Sequence, residues 1–439
     1  MTVRNVAWAA SVLGLACSVL VPVLGAQSWG GKNCPGVRWS TPTEWRSPEG
    51  AAMYLSKPAI LPMRDGTLWL GPLLTIRRGP KDFIWPLLPP GDTRITKLTE
   101  ITIGVFIKRD GTFRYLGTPA EGSPWIETSR AVVDDRGVVH VMWVPSDSDR
   151  SRRLFYAQFD GEQWTVPQVA AEKKQFIWHP ASVSSLIARG DTLYLVATAA
   201  DGLVYIRGVH ARWTTRLIDL WHGAVPGGYP SLTVLRTGRL VLLTQGAALD
   251  TPNTRQSSLQ LTSRMFATWS DDDGVTWAPV RPVSDLQSEP ALDFHLVQTH
   301  DGVLRAIWYQ RTDSLGRPAD DVTLGGTPGR VQIAESRDRG ESWRRLAPSE
   351  LLRFADDLDT QAMDDSTLAI VLVDRAAEQI LLTTWSGVWR PFAHIDASPN
   401  PLQTLFGRDD AQRLVLTWGS ERGSPRWFVS MVTTLTPCR

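Results

Sequence analysis

The sequence predicts an all-β chain closed into a seven-bladed β-propeller, or six blades if one of two weak repeat copies is misassigned. Three observations carry this expectation. Two kinds of segment alternate along the 439 residues, as the strands of successive blades do. The last copy of the second kind is unfinished, and its missing piece stands near the N-terminus. A chain of this length either splits into domains or closes one large ring, and the ring gives a single domain over residues 27–439.

The first kind of segment opens on a polar residue before Pro, runs through a short apolar stretch, turns at Gly or Asp and continues as a second strand. Its clear members begin at Lys57, His179, Tyr229, Glu289 and Asn400. Weaker copies begin at Ser129 and Leu358, which makes seven. The second kind is an apolar strand, a Gly turn and an aromatic, ending at Phe113, Trp164, Trp213, Trp277, Trp343 and Trp389. These six endings fall between consecutive members of the first kind, so each pair makes a four-stranded unit.

After Asn400 the chain runs RWFVSMVTTLTPC with no Gly-x-x-Trp to finish. CPGVRWSTP, from Cys34, supplies that ending as Gly36-x-x-Trp39. The N-terminal strand is therefore expected to complete the last blade, which closes the ring and removes its open edges. Cys34 and Cys438 then stand at the point where other blades carry a covalent hairpin, and a disulfide between them is expected. A bridge across so long a loop contributes roughly 3–5 kcal/mol in the entropic account. The six Trp residues of this pattern, Trp39 included, are expected to pack between neighbouring sheets.

Arg4 precedes a charge-free apolar run from Val6 to about Ala26, so residues 1–26 read as an export signal. Left uncut, roughly 20 apolar residues are also enough to anchor the chain in a membrane; lipid attachment at Cys17 is a third outcome. Each places the folded part outside the cytoplasm, in the periplasm, in the medium or on the outer membrane face. An oxidising compartment agrees with the bridge. The charge is balanced, with 46 Lys and Arg against 45 Asp and Glu, and no basic run marks a nucleic-acid surface. His179, His210, His222, His295 and His300 show no metal-ligand spacing, and no phosphate-cradling Gly loop or nucleotide fingerprint is present. No metal or cofactor is expected.

SDDDGVTW and SRDRGESW both fit S-x-D-x-G-x-x-W, through Ser270, Asp272, Gly274, Trp277 and Ser336, Asp338, Gly340, Trp343. This pattern is the Asp-box, and the chain resembles the sialidase-like (BNR, Asp-box repeat) propeller superfamily over essentially all of residues 35–438. The resemblance implies that the boxes are rigid blade corners lying on the face opposite the active site. Fold does not fix function here, since enzymes, receptors and assembly factors share the scaffold.

On the other face the residues before Pro are expected to converge: Lys57, His179, Tyr229, Glu289 and Asn400, with Ser129 or Arg130 and Asp359 as looser equivalents. So varied a polar set is unlike a repeated structural position. Three long connections, Leu73 to about Thr99, Gly246 to about Ser263 and Arg311 to about Arg330, are expected on the same rim. The resemblance implies three arginines for a true sialidase, a Tyr nucleophile with a Glu partner and an Asp acid/base. Here the expected R-I-P opening reads LSKPAI, so strict sialidase activity is not expected. Arg311 stands near the place of a second arginine.

Two functional readings follow. The first is an exported binding module for a glycan or a protein partner, with Lys57, Arg130, His179, Asn400 and Arg311 contacting ligand. The apolar loop IWPLLPPGD, Ile84 to Asp92, suits docking on a partner or membrane. The second is a carbohydrate-active enzyme in which Glu289 works with Tyr229 or with a second carboxylate such as Asp359. A glycoside hydrolase needs two such groups roughly 5–9.5 Å apart.

Overall fold

The computed structural model describes residues 37–45, 59–63, 66–78, 81–84, 98–110, 112–119, 126–145, 153–172, 183–199, 202–218, 227–247, 263–284, 294–312, 328–352, 355–363, 366–374, 376–397, 401–422 and 427–437. Cys34, Lys57, His179, Glu289, Asn400 and Cys438 lie outside them, as does the N-terminal apolar segment.

Seven antiparallel sheets form the molecule. In chain order they are blade 1 (59–117), blade 2 (126–172), blade 3 (183–218), blade 4 (227–282), blade 5 (294–345), blade 6 (356–396) and blade 7 (401–437). In each, the strand that comes first in the chain sits at one end of the sheet order. These seven strands touch one another in sequence and the last touches the first, so they line the axis of a closed ring.

Blade 7 takes its outer edge from the other end of the chain. Val37–Trp39 pairs antiparallel with Trp427–Pro437, in the register Val37↔Pro437 and Trp39↔Leu435. Thr43–Trp45 pairs with the same strand further along. Ser40 ties the two segments between these pairings: its N–H donates to the Thr434 carbonyl at 3.0 Å, and its hydroxyl accepts from the Thr434 N–H at 3.0 Å. The closure expected from CPGVRW is the one formed.

Packing lies between blades rather than within them, because each sheet is buried on both faces. Met142, Leu154 and Tyr156 of blade 2 meet Leu193, Leu195 and Ile206 of blade 3, with Trp213 packed against them. The other Trp residues of the pattern behave alike. Trp164 joins the blade 1–2 cluster, Trp277 the 3–4, Trp343 the 4–5, Trp389 the 5–6 and Trp39 the 6–7. Truncating a packed aromatic costs roughly 3–5 kcal/mol, several times a single turn hydrogen bond, so these rings hold the blades together.

One expectation needs correcting. Leu73 to about Thr99 was read as a loop, but Gly66–Arg78 continues as a 13-residue strand. It pairs with Leu98–Arg109 on one side, and Lys81–Ile84 folds back along it. The alternation of Leu74, Ile76 and the β-branched Thr75 suits a pleated ladder. Residues 85–97 lie outside the described set.

The Asp-boxes are corners between the third and fourth strands of blades 4 and 5. In the first, the Gly274 N–H donates to Ser270 Oγ at 2.9 Å, and Ser270 Oγ donates to Asp272 Oδ1 at 2.8 Å. Asp272 also accepts from the N–H of Thr276 at 2.8 Å and from its hydroxyl at 2.7 Å. Those bonds hold its carboxyl down at about 2. The second box repeats the pattern through Ser336, Asp338, Gly340 and Ser342. Both carboxylate oxygens of Asp272 are spent on its own turn.

Candidate functional site

The strands fix which end of the ring is which. The turn from first to second strand and the corner from third to fourth lie at the Asp-box end, so the axial strands begin at the opposite face. There the sheets depart from regularity. Register between first and second strands shifts at Ile126/Thr128, Val183/Ser185, Gly227/Ser231, Asp356/Asp359 and Leu402/Thr404. Bulges re-aim side chains and cluster beside sites. Five blades thus carry one at the same end.

Position along the axis can be counted from the turn. In blades 2, 4, 5, 6 and 7 the turn closes through the N–H of Asp134, Leu235, Thr299, Met363 and Asp409 in the same way. Four residues earlier stand Arg130, Ser231, His295, Asp359 and Leu405. Arg130 and Asp359, chosen from the sequence, therefore share a level, and His295 joins them. Tyr229 belongs to Gly227–Val234, two residues further out than Ser231. Glu289 and Asn400 precede their turns by still longer stretches and fall outside the described residues, as do Lys57 and His179.

At this level side chains stitch the axial strands of blades 3 to 7 to one another. Ser185 Oγ accepts the Leu232 N–H at 3.2 Å, and Ser231 Oγ accepts the Leu296 N–H at 3.0 Å. Asp359 does the same for blade 7, its Oδ2 accepting the Phe406 N–H at 2.6 Å. Its Oδ1 accepts the Thr360 N–H at 2.8 Å and faces His295 Nδ1 at 3.8 Å. His295 Nε2 donates to the Leu358 carbonyl at 2.9 Å, which sets its tautomer. Both Asp359 oxygens accept backbone N–H groups, which suits the residue to holding blade 6 against blade 7.

Asp357, inside the blade 6 bulge, has a left-handed backbone with φ of 53°. Such a conformation costs a non-glycine residue on the order of 1–3 kcal/mol. Its Oδ2 accepts the Thr404 N–H and its carbonyl accepts the Thr404 hydroxyl at 3.1 Å. Strain, bulge and interblade bonding coincide at Asp357–Asp359.

Arg311 ends the second strand of blade 5 at this same face. It shares its side of the strand with Ile307 and Tyr309, which pack on Leu358 and Leu372 of blade 6. The residue is 6% exposed, yet its Nη1 has no acceptor among the described residues, and the adjoining Thr312 hydroxyl is buried and unpartnered too. Buried guanidinium groups are almost always paired. Two such unpartnered atoms stand side by side at the end of a strand, where residues 313–327 follow.

Sequence reasoning missed His295, because the Pro-based alignment pointed to Glu289 in the same blade. Counting from the turn instead of from Pro was the signal available. Among the described residues no group of three or more His, Cys, Asp or Glu could hold a metal ion.

No protein-family model matches the sequence, and no curated protein does. Among solved structures the chain is similar to the polysaccharide lyase Uly1, with TM-score 0.51 and 10% identity over 94% of each chain. It is also similar to a Dyadobacter fermentans protein of unknown function, with TM-score 0.46 and 13% identity over 92% of this chain and 100% of that one. Trypanosoma rangeli sialidase gives TM-score 0.41 and 12% identity over 74% of this chain and 56% of that one. At such identities the likeness is one of fold, and the first extends it over nearly the whole propeller.

Proposed function

We propose that this propeller binds a glycan at the face where its axial strands begin, and that the sugar is acidic. The buried guanidinium of Arg311, with an unpartnered Nη1, carries the reading. A carboxylate or sulfate on the sugar would complete its hydrogen bonding, with the fork geometry that favours Arg over Lys. Arg130 brings a second guanidinium to the same face, further into the ring. The similarity in fold to a polysaccharide lyase agrees with a sugar ligand without identifying it.

The test is titration calorimetry of uronic-acid and sulfated oligosaccharides against wild type and Arg311→Gln. Affinity for the acidic sugar should drop at least tenfold in the variant, while its Tm should hold or rise, because a buried guanidinium with an unpartnered Nη1 is replaced by a neutral group. Unchanged affinity would sink the assignment.

A hydrolytic or eliminating activity is the second reading, favoured by the position of Tyr229 in the bulged segment of blade 4. It calls for Glu289 close to Tyr229 or to a second carboxylate. Turnover of a chromogenic glycoside or acidic polysaccharide that disappears in Glu289→Gln would establish it, and turnover indifferent to that change would remove Glu289 from the site.

We also infer export and a Cys34–Cys438 bridge. The register Val37↔Pro437 leaves Cys438 next to the paired segment and Cys34 three residues from it, which favours their meeting. Non-reducing peptide mapping of the exported protein should recover the linked pair, whereas two free thiols would refute it.

A further inference from the structure

The Asp-box end of the ring is not closed everywhere. Between blades 2 and 3 it holds a cleft of about 270 Å³ lined by Arg136, His140, Tyr156, Gln158, Asp191 and His210, with small or apolar residues between them. The cause is local. Blade 3 turns from its third to its fourth strand on two residues, His210 and Ala211, both left-handed at φ 47° and 58°. Blades 4 and 5 place a whole Asp-box at that position. There Gly274 lies against the ring of Tyr205 on blade 3, and Gly340 against Val241 on blade 4. At the blade 3 corner, which lacks the box, polar residues of blade 2 line the cleft.

The floor of the cleft is a relay. His140 Nε2 faces Asp134 Oδ2 at 3.3 Å, and its Nδ1 lies 2.8 Å from the Tyr156 hydroxyl. That hydroxyl is 3.0 Å from the Gln158 side-chain amide. Burial opposes the charge on Asp134, but hydrogen bonds from Arg136, Val138 and His140 outweigh it and keep the carboxylate ionised. Burial also lowers His140 and pushes Tyr156 up to about 12, so the ring is neutral and the phenol protonated near pH 7. An ionised Asp134 accepts only, so Nε2 carries the ring proton, and the Tyr156 hydroxyl stands between Nδ1 and the Gln158 side chain. That hydroxyl donates to Gln158 Oε1. The Gln158 NH₂ is left facing the cleft.

The rim offers both kinds of partner. Arg136 spans the seam, with Nη2 2.7 Å from Asp134 and Nη1 2.7 Å from Asp191 of blade 3. Asp191 and the exposed His210 stand 3.9 Å apart on the other side. Two carboxylates against one guanidinium leave the cleft with a net negative charge, which disfavours anions. Alternating donors and acceptors suit hydroxyl groups, each of which is both. The volume lies below the ~300–1,000 Å³ of drug-sized sites and admits one sugar ring.

We propose that this cleft is a binding site for a neutral monosaccharide unit, on the opposite face from the acidic-sugar site and independent of it. Asp191 accepts from sugar hydroxyls, while Arg136, His210 and the Gln158 NH₂ donate to them. Buried, neutral Tyr156 and His140 hold Gln158 in that orientation and are positioning residues.

The experiment is ligand-observed NMR and calorimetry with a panel of neutral hexoses, 6-deoxyhexoses and N-acetylhexosamines, on wild type, Asp191→Asn, His210→Ala and Arg311→Gln. One class of neutral sugar should bind wild type, with affinity at least tenfold weaker in Asp191→Asn and several-fold weaker in His210→Ala. Arg311→Gln should bind it as wild type does, which separates this site from the axial one. Asp191 and His210 are exposed rim residues, and an unchanged Tm in their variants excludes misfolding as the cause. Failure of every neutral sugar, selective binding of an anionic one, or binding indifferent to both rim changes would overturn the proposal.

Discussion

The seams between blades 2 and 3 and between blades 4 and 5 occupy equivalent places on one face and are finished in opposite ways. At the 4–5 seam, Arg239 of blade 4 forks onto Asp271 at 2.7 and 2.8 Å and reaches Glu341 in the blade 5 corner at 2.8 Å. Gly340 closes the gap beneath by packing on Val241. At the 2–3 seam, Arg136 makes a comparable bridge from Asp134 to Asp191, but the two-residue turn at His210 and Ala211 brings nothing in beneath it. The lesson is that the Asp-box works as a filler as well as a corner. At the 2–3 seam, where no box follows, the space it would fill is a cleft.

If the box is a filler, its glycine should tolerate substitution far less than a glycine in a corner that fills nothing. A Cβ on Gly274 would lie 2.2 Å from the Tyr205 ring, at a φ of +79°. The Gly387 corner of blade 6 has φ +92° but nothing within 4 Å. Gly274→Ala should therefore lose about 3 kcal/mol, strain and overpacking together, against about 1 kcal/mol for Gly387→Ala. Urea unfolding of both variants measures the difference, and equal losses would show that only backbone strain matters.

The next effect concerns the bridge over the filled seam. The Arg239 side chain is 7% exposed and also lies 5.5 Å over the Trp269 ring. Arg239→Ala should lose about 2 kcal/mol through packing, the cation–π contact and charged hydrogen bonds to half-exposed acids. On the open seam, Tyr156→Phe removes a hydroxyl that joins His140 to Gln158, and about 1 kcal/mol is expected. If Tyr156→Phe proves the costlier change, the relay is structural mortar rather than the floor of a site.

The ring itself was legible because it is repetitive. Gly-x-x-Trp recurs often enough that its displaced copy at Trp39 identified the closing strand, and each Trp of the pattern packs on the preceding blade as expected. The site was less legible for a physical reason. Pro marks where a strand can begin, not how far it then runs before the turn, and bulges add residues without changing the pattern. Arg130 and Asp359 were placed at one level, but His295 went unrecognised behind Glu289. The cleft was invisible in sequence, since it arises from what HAR lacks relative to SDDDG and not from any motif of its own.

The smallest effect is a pH dependence that should belong to the open seam. Burial lowers His140 from its usual value of 6.5, although Asp134 pulls the other way through a hydrogen bond. The unfolded chain therefore takes up this proton first as pH falls. Stability tied to His140 is complete above about 6.5 and declines below it until the folded-state value is passed. The groups around the ring do not reverse the sign. Asp134 is held below the usual carboxylate value and stays ionised throughout, Tyr156 stays neutral, and Arg136 is raised and stays charged. Wild type should thus lose more of its Tm between pH 7.5 and 5.5 than His140→Gln does. The filled 4–5 seam has Val241 where the open one has His140, counting from the turn, so replacing this histidine should make the open seam as indifferent to pH as the filled one. A His140→Gln variant with the wild-type pH slope would place the titrating group elsewhere and detach the relay from the seam's stability.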